Sequence, residues 1–185
     1  MRKDFGVKTW FYPLPVLIVG TYDENGKANA MNAAWGGIYD TNQVIICLSP
    51  GHKTAKNIHA KKAFTISFAD ADHVVAADYV GIASGNKVPD KMEKAGFTTE
   101  KSVFVDAPII RELPMALECR LIKTTEEGNF IGEIVNISAD EKIIGEDDLI
   151  DAEKLQAICY DPVHHDYLVL GKKVGKAFSD GKSLE

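Results

Sequence analysis

The segment Val16-Leu17-Ile18-Val19-Gly20-Thr21-Tyr22, followed at once by Asp23-Glu24-Asn25-Gly26, constrains this chain more than any other stretch. The run is apolar and rich in β-branched residues, which favour a pleated strand over a helix. The Asn-Gly step after it is a strong two-residue hairpin signal, so the chain is expected to return along Ala28 to Trp35. The same grammar recurs downstream. Gln43 to Ser49 is a second apolar strand, closed by Pro50-Gly51, a dipeptide that cannot extend a ladder. Ala63 to Phe68 is a third. Leu117, Cys119 and Leu121 alternate with Glu118 and Arg120, which gives one buried and one wet face. Glu126-Glu127-Gly128-Asn129 then turns the chain into Phe130 to Ser138, and Tyr167 to Leu170 forms a last apolar strand.

Helical segments are few. Lys53 to Lys61 reads as one, Asp70 to Tyr79 as another with acidic residues in its first turn. Pro89 to Gly96 has the Pro-early, Gly-late asymmetry of a short helix, and Asp151 to Ala157 gives one more piece. Antiparallel strands with a few helices predict a mainly β fold, a closed or half-closed barrel, because closure removes exposed sheet edges.

Composition bounds the rest. The chain has 185 residues, 45% hydrophobic and 26% charged, with only 15 Gly and 7 Pro. That is ordinary globular usage and is expected to form one domain over residues 1–185. No apolar run approaches the ~20 residues of a membrane span, and the basic N-terminus lacks the roughly 7–15 residue apolar stretch of a secretory signal. A cytoplasmic protein with no membrane partner is the expectation. The net charge of -6, with scattered basic residues, argues against nucleic acid. Cys47, Cys119 and Cys159 are widely spaced and include no C-x-x-C pair, so they are expected to be reduced and mostly buried.

Three segments carry candidate chemistry. Ser49-Pro50-Gly51-His52-Lys53-Thr54 puts a turn, a cation and a hydroxyl in front of a helix, where unpaired N–H groups stabilise an anion such as phosphate. The competing reading makes Thr54 a cap and Lys53 a solvated surface charge. Ser84-Gly85-Asn86-Lys87, with Lys91 beyond, offers a second set of amides, a hydroxyl and cations, or else an ordinary polar loop. Asn29-Ala30-Met31-Asn32-Ala33-Ala34-Trp35 is rich in small residues and amides. That pattern suits a planar heterocycle approaching the backbone and also suits a hairpin arm with a core Trp. No nucleophile elbow, zinc-helix motif or Walker loop occurs, and the adjacent His164-His165 pair would diverge on a strand. Phosphate-like features without a nucleophile or metal set point to a cofactor as the source of reactivity.

Taken in order, Pro13-Leu14-Pro15-Val16, Gly20-Thr21, Asp23-x-x-Gly26-Lys27-x-Asn29-Ala30-Met31, the Trp35 strand, His52-Lys53-Thr54 with Asn57-Ile58, Asp90-Lys91, Leu113-Pro114-x-Ala116-Leu117-Glu118-Cys119 and Ile131-Gly132-Glu133-Ile134-Val135 resemble the flavin reductase-like proteins, over about Pro13 to Gly175. The resemblance implies an FMN-binding split barrel, a homodimer with FMN near the subunit contact, and electron transfer or flavin reduction with NAD(P)H or a redox protein as donor. It places Asn29, Met31, Asn32, Ala33 and Trp35 along the isoalloxazine, Ser49, Lys53 and Thr54 at ribityl and phosphate, and Ser84, Lys87 and Lys91 around the phosphate. Many relatives carry Arg where this chain has His52 or Lys53, so a bidentate clamp becomes a point-charge contact. No G-x-G-x-x-G occurs, so a nicotinamide would have no dinucleotide domain of its own. A flavin carrier without turnover, or a split barrel holding another ligand such as haem, are the alternatives.

Overall fold

The computed structural model describes residues 1–184; Glu185, the last residue of the expected domain, lies outside them. In chain order the strands are β1 (Leu14–Pro15), β2 (Leu17–Tyr22), β3 (Ala28–Ala33), β4 (Gly36–Asp40) and β5 (Gln43–Ile46), then helix α1 (Lys53–Lys61) and β6 (Ala63–Phe68). Helices α2 (Val74–Ile82) and α3 (Lys91–Lys94) precede β7 (Thr99–Lys101), β8 (Pro108–Ile110), β9 (Met115–Thr124) and β10 (Phe130–Ala139). Helix α4 (Ala152–Leu155), β11 (Ile158–Asp161) and β12 (Asp166–Val169) close the list, with single 3-10 turns at Glu141–Ile143 and Asp180–Leu184.

Seven strands in the order β3-β2-β6-β9-β10-β5-β4 form one curled sheet, all neighbours antiparallel, which makes a half-barrel. A three-stranded sheet β1-β11-β12 and the hairpin β7-β8 flank it. The run Val16 to Tyr22 is apolar on both sides because β2 is covered on both sides. Leu17 and Val19 point into a cluster with Val44, Ile46, Ile58, Phe64, Ile66, Leu117 and Phe130. Val16 and Ile18 point the other way, against Ala77 and Val80 of α2, Phe97, Ile110 and Ile158. The β2-β3 turn forms as expected: Asp23 Oδ1 accepts from the N–H groups of Asn25 and Lys27, and Gly26 takes φ +79°, open to glycine at no steric cost.

Several expectations shift. The second helix begins at Val74 rather than Asp70, because Asp70 forms an isolated bridge to Ala157 and accepts from His73 N–H; its first turn has no acidic residue. The β3 strand stops at Ala33, before Trp35. Strands β1, β4, β7, β8 and β11 were not expected; each is short or, like β4, almost wholly exposed, so none leaves a burial period in the sequence. The three cysteines are free thiols, but only Cys119 is buried, where its surroundings push its pKa up to about 12; Cys47 and Cys159 are half-buried.

Candidate functional site

The site is built along β3, where α1, α2 and the loop after α2 converge. His52, not Thr54, is the N-cap of α1. Thr54 is instead buried within the first turn, and its Oγ1 accepts from Asn29 Nδ2 at 2.9 Å, which fixes the start of α1 against β3. Asn57 Nδ2 donates to Thr21 Oγ1 at 3.0 Å and pins the next turn. Lys53 is not solvated either: its Nζ meets Asp23 Oδ2 at 2.9 Å, with both side chains largely covered. Partial burial alone would raise the Asp23 pKa, but the bonds from Lys53 and from the Lys27 and Asn25 amides outweigh it and hold the carboxyl below its usual range.

The loop after α2 closes the other side. Asn86 Nδ2 donates to the Gly51 carbonyl at 3.0 Å, so the two candidate anion loops are knitted to each other. Gly85 lies against Asn29, and a Cβ at that position would fall 2.2 Å from Asn29 Oδ1. Lys91 is 3% exposed, yet it carries an ammonium. Its Nζ donates to the carbonyls of Val80 at 3.1 Å and Ala83 at 2.8 Å, placing a cation at the negative end of α2. Burial, and then the nearby Lys53 charge, push its pKa down to about 8.

These groups line a cavity of about 260 Å³, walled by Asn29, Met31, His52, Lys53, Thr54, Ser84, Gly85, Lys91 and residues 80–83. Six of the eleven expected site residues therefore share one hollow: Asn29, Met31, Lys53, Thr54, Ser84 and Lys91. Asn32 lies farther along β3 in an adjoining cavity of about 370 Å³ that shares Gly81 and Ile82 with the first. Trp35, 57% exposed, lies beyond that in an open apolar hollow with Phe11, Pro13, Ala34, Ile38 and Cys47; Ala34 belongs to both of these spaces. Shared lining residues set the three hollows in a row beside β3 and the residues after it, polar and cationic at one end and aromatic at the other. Ala33 faces the interior cluster instead. Ser49 and Lys87 are exposed on the two loops at the mouth, outside the cavity lining. The α2 contribution has no mark in the sequence: Gly81, Ile82 and Ala83 lie beyond the expected helix end at Tyr79 and reach the site only because α2 runs on to Ile82 and packs there.

The curled antiparallel half-barrel with its flanking sheet and helices is a split barrel of the flavin reductase-like type. The flavin reductase like domain matches residues 9–156, and the chain belongs to that family. Among solved structures, it superposes on flavoredoxin of Desulfovibrio vulgaris (Miyazaki F) with a TM-score of 0.94 and 39% identity, covering 98% of this chain and 100% of that one. It superposes on flavoredoxin from Methanosarcina acetivorans with a TM-score of 0.89 and 27% identity, covering both chains completely at 100%. A protein of Aeropyrum pernix is 27% identical over 127 residues, 66% of this chain, and the match spans about half (48%) of that relative's length. No helix among the described residues is long and apolar enough to cross a membrane.

Proposed function

We propose that this chain is an FMN-dependent oxidoreductase of the flavoredoxin and flavin reductase type, passing electrons from NAD(P)H or a reduced protein to flavin or a downstream acceptor. The observation that carries this reading is the pairing of a cation-lined hollow with the hollows that follow it along β3. A bare flavin ring needs no buried lysine at one end, whereas a ring with a phosphate tail does. The residues fit the group: Lys91 has three N–H donors and uses two on carbonyls, leaving one, and the bare Cα of Gly85 leaves room that a side chain would fill. Lys53, Thr54, Ser84 and Lys91 would hold the phosphate, with Ser49 and Lys87 at the mouth. Asn29 and Met31 would line the tail, and Asn32 and Trp35 the ring. The chemistry FMN supplies when bound is reversible two-electron transfer; the protein's part is to fix the ring, screen it from water and limit what reaches it.

The family resemblance also supports a homodimer. Leu168, Val169 and Leu170 are each about half exposed, and Phe5, Trp10, Phe11 and Tyr12 of the N-terminal arm are uncovered as well, apolar side chains that a second copy would cover. Light scattering on the flavin-loaded protein at micromolar concentration is expected to return twice the chain mass of 20.2 kDa; a monomeric mass would refute the dimer.

Trp35 and Trp10 test the placement of the ring. Trp10 packs edge-on against Phe5 at 5.2 Å with Lys8 over its face; its neighbours Thr9 and Phe11 line the hollow that holds Trp35, and Trp10 itself does not. Titrating FMN is expected to quench tryptophan emission strongly in the wild type and in Trp10→Phe, and weakly in Trp35→Phe. Because Trp35 is more than half exposed, its replacement is expected to change stability by no more than about 0.5 kcal/mol. Quenching that persists without Trp35 and vanishes without Trp10 would place the ring elsewhere. Yellow colour on purification, with clear preference for FMN over riboflavin, tests the function itself.

A further inference from the structure

The cationic hollow already faces an anion of the chain's own. Lys53 leaves the first turn of α1, and its Nζ reaches Asp23 Oδ2 at 2.9 Å. The two side chains are only 23% and 14% exposed, so solvent ions screen the pair poorly. Asp23 is anchored independently of Lys53: its other oxygen, Oδ1, accepts from the N–H groups of Asn25 and Lys27 in the β2-β3 turn. One oxygen thus fixes the carboxylate and the other is offered to the ammonium. Lys91, the second cation of the hollow, is bound to the carbonyls of Val80 and Ala83, dipoles that leave its full charge uncancelled. His52, the N-cap of α1, makes no side-chain cap bond, and the first turn of that helix has no acidic residue. Asp23 is therefore the carboxylate that the chain sets against this end of the site.

Lys53 needs no carboxylate to be held in place. The start of its helix is fixed by the bond from Asn29 to Thr54, and its stem lies against the loop after α2, where a Cβ at Gly85 would fall 3.3 Å from Lys53 Cδ. A phosphate entering the hollow meets one uncancelled cation and one that is already paired. To use Lys53 it must displace Asp23 or share the ammonium with it, and while they share, two anions repel each other. We propose that Asp23 is a built-in counter-ion that competes with the ligand's phosphate for Lys53 and so shortens the stay of a phosphate-bearing ligand. The inference deepens the functional reading above and rests on it for the flavin: FMN becomes a molecule that exchanges, and Asp23 the residue that sets how fast it leaves. Riboflavin, without a phosphate, has nothing to compete for. A carboxylate that merely positioned Lys53 for phosphate would give the same substitution the opposite sign.

Asp23→Asn keeps Oδ1 for the turn amides and removes the charge; Asp23→Ser, a shorter acceptor, is the second variant if the amide disturbs the turn. Circular dichroism checks the fold of each, and stopped-flow mixing with FMN at about 0.1 M salt reads the rates. Asp23→Asn is expected to bind FMN about tenfold tighter, mostly through slower dissociation, with riboflavin affinity within about twofold of wild type. With Lys53 already replaced by Met, the same substitution is expected to change FMN affinity by less than about threefold, since no ammonium remains to be released. Weaker or unchanged FMN binding by a folded variant, equal tightening of riboflavin, or tightening that persists undiminished without Lys53 overturns the proposal. Inorganic phosphate, titrated calorimetrically, is the probe without a ring, and Asp23→Asn is expected to tighten it by a similar factor. If phosphate behaves so while no variant binds FMN, the flavin reading fails and the counter-ion stands. If FMN binds and Asp23→Asn does not tighten it, the counter-ion fails and the flavin reading stands.

Discussion

Truncating Phe64 to Ala is expected to cost about 3–5 kcal/mol of stability, the largest effect of any single change considered for this chain. Phe64 stands on β6, is 0% exposed and sits in the cluster that fills the half-barrel. Its ring also explains a glycine two strands away. A Cβ on Gly132 of β10 would fall 2.5 Å from Phe64 Cζ and 2.8 Å from Cε1, so the ring occupies the space a side chain would need. Removing the ring opens a cavity that curled, hydrogen-bonded strands on both sides cannot collapse to fill, and the cavity cost adds to the lost transfer energy. Urea unfolding followed by circular dichroism measures it, with Val103→Ala, at an 89% exposed position, as a control expected within about 0.5 kcal/mol of wild type. A loss below about 1 kcal/mol at Phe64 would mean that the barrel interior repacks freely.

The second large effect concerns Lys91. Replacing it with Met is expected to weaken FMN binding at pH 7 by about 1.5–3 kcal/mol, the range for a hydrogen bond to a charged group, or roughly tenfold to a hundredfold. Riboflavin binding is expected to change little, since the lost contact is to phosphate. The pH dependence gives a sharper signature. Without ligand the Lys91 pKa lies near 8, below its ordinary 10.5, because burial and Lys53 disfavour the ammonium. A bound phosphate favours the ammonium and raises that value. Binding above pH 8 must therefore take up a proton, and FMN affinity is expected to be flat just below pH 8 and to fall, by up to tenfold per unit, as pH rises above it.

For stability the sign is opposite. Between about 8 and 10.5 the unfolded chain holds this proton and the folded ligand-free protein does not, so this one group makes stability rise with pH across that window and contributes no slope below it. Lys91→Met should remove both trends. Isothermal titration across pH 7 to 9.5 reads the first; an affinity slope that survives the substitution would assign it to another group.

The sequence by itself carried the local structure. Strong apolar runs with Gly, Asn and Pro at their ends marked β2, β3, β5, β6, β9 and β10, because β-branched packing and turn chemistry are short-range properties. The β1, β4 and β11 strands were invisible for the converse reason: at two to five residues, whether at a sheet edge like β1 and β4 or between two partners like β11, none is long enough to show a periodic face. At the site, residue types were legible and their partners were not. Lys53 and Lys91 were both readable as cations before an anion. Only the fold shows that Lys53 is paired with Asp23 and that Lys91 is buried on the α2 carbonyls, since Asp23 is 30 residues away from Lys53 and a helix terminus has no sequence mark for the lysine that will cap it. Asn32 was legible as an amide beside a planar ligand, yet which half of the amide is free depends on Ala77 and Tyr167, the latter 135 residues distant. The alternation and turns fixed what each segment becomes; the closing of the sheet, which sets α2 and the β11-β12 turn against β3, decided which donors and acceptors remain unspent, and a ligand can read only those.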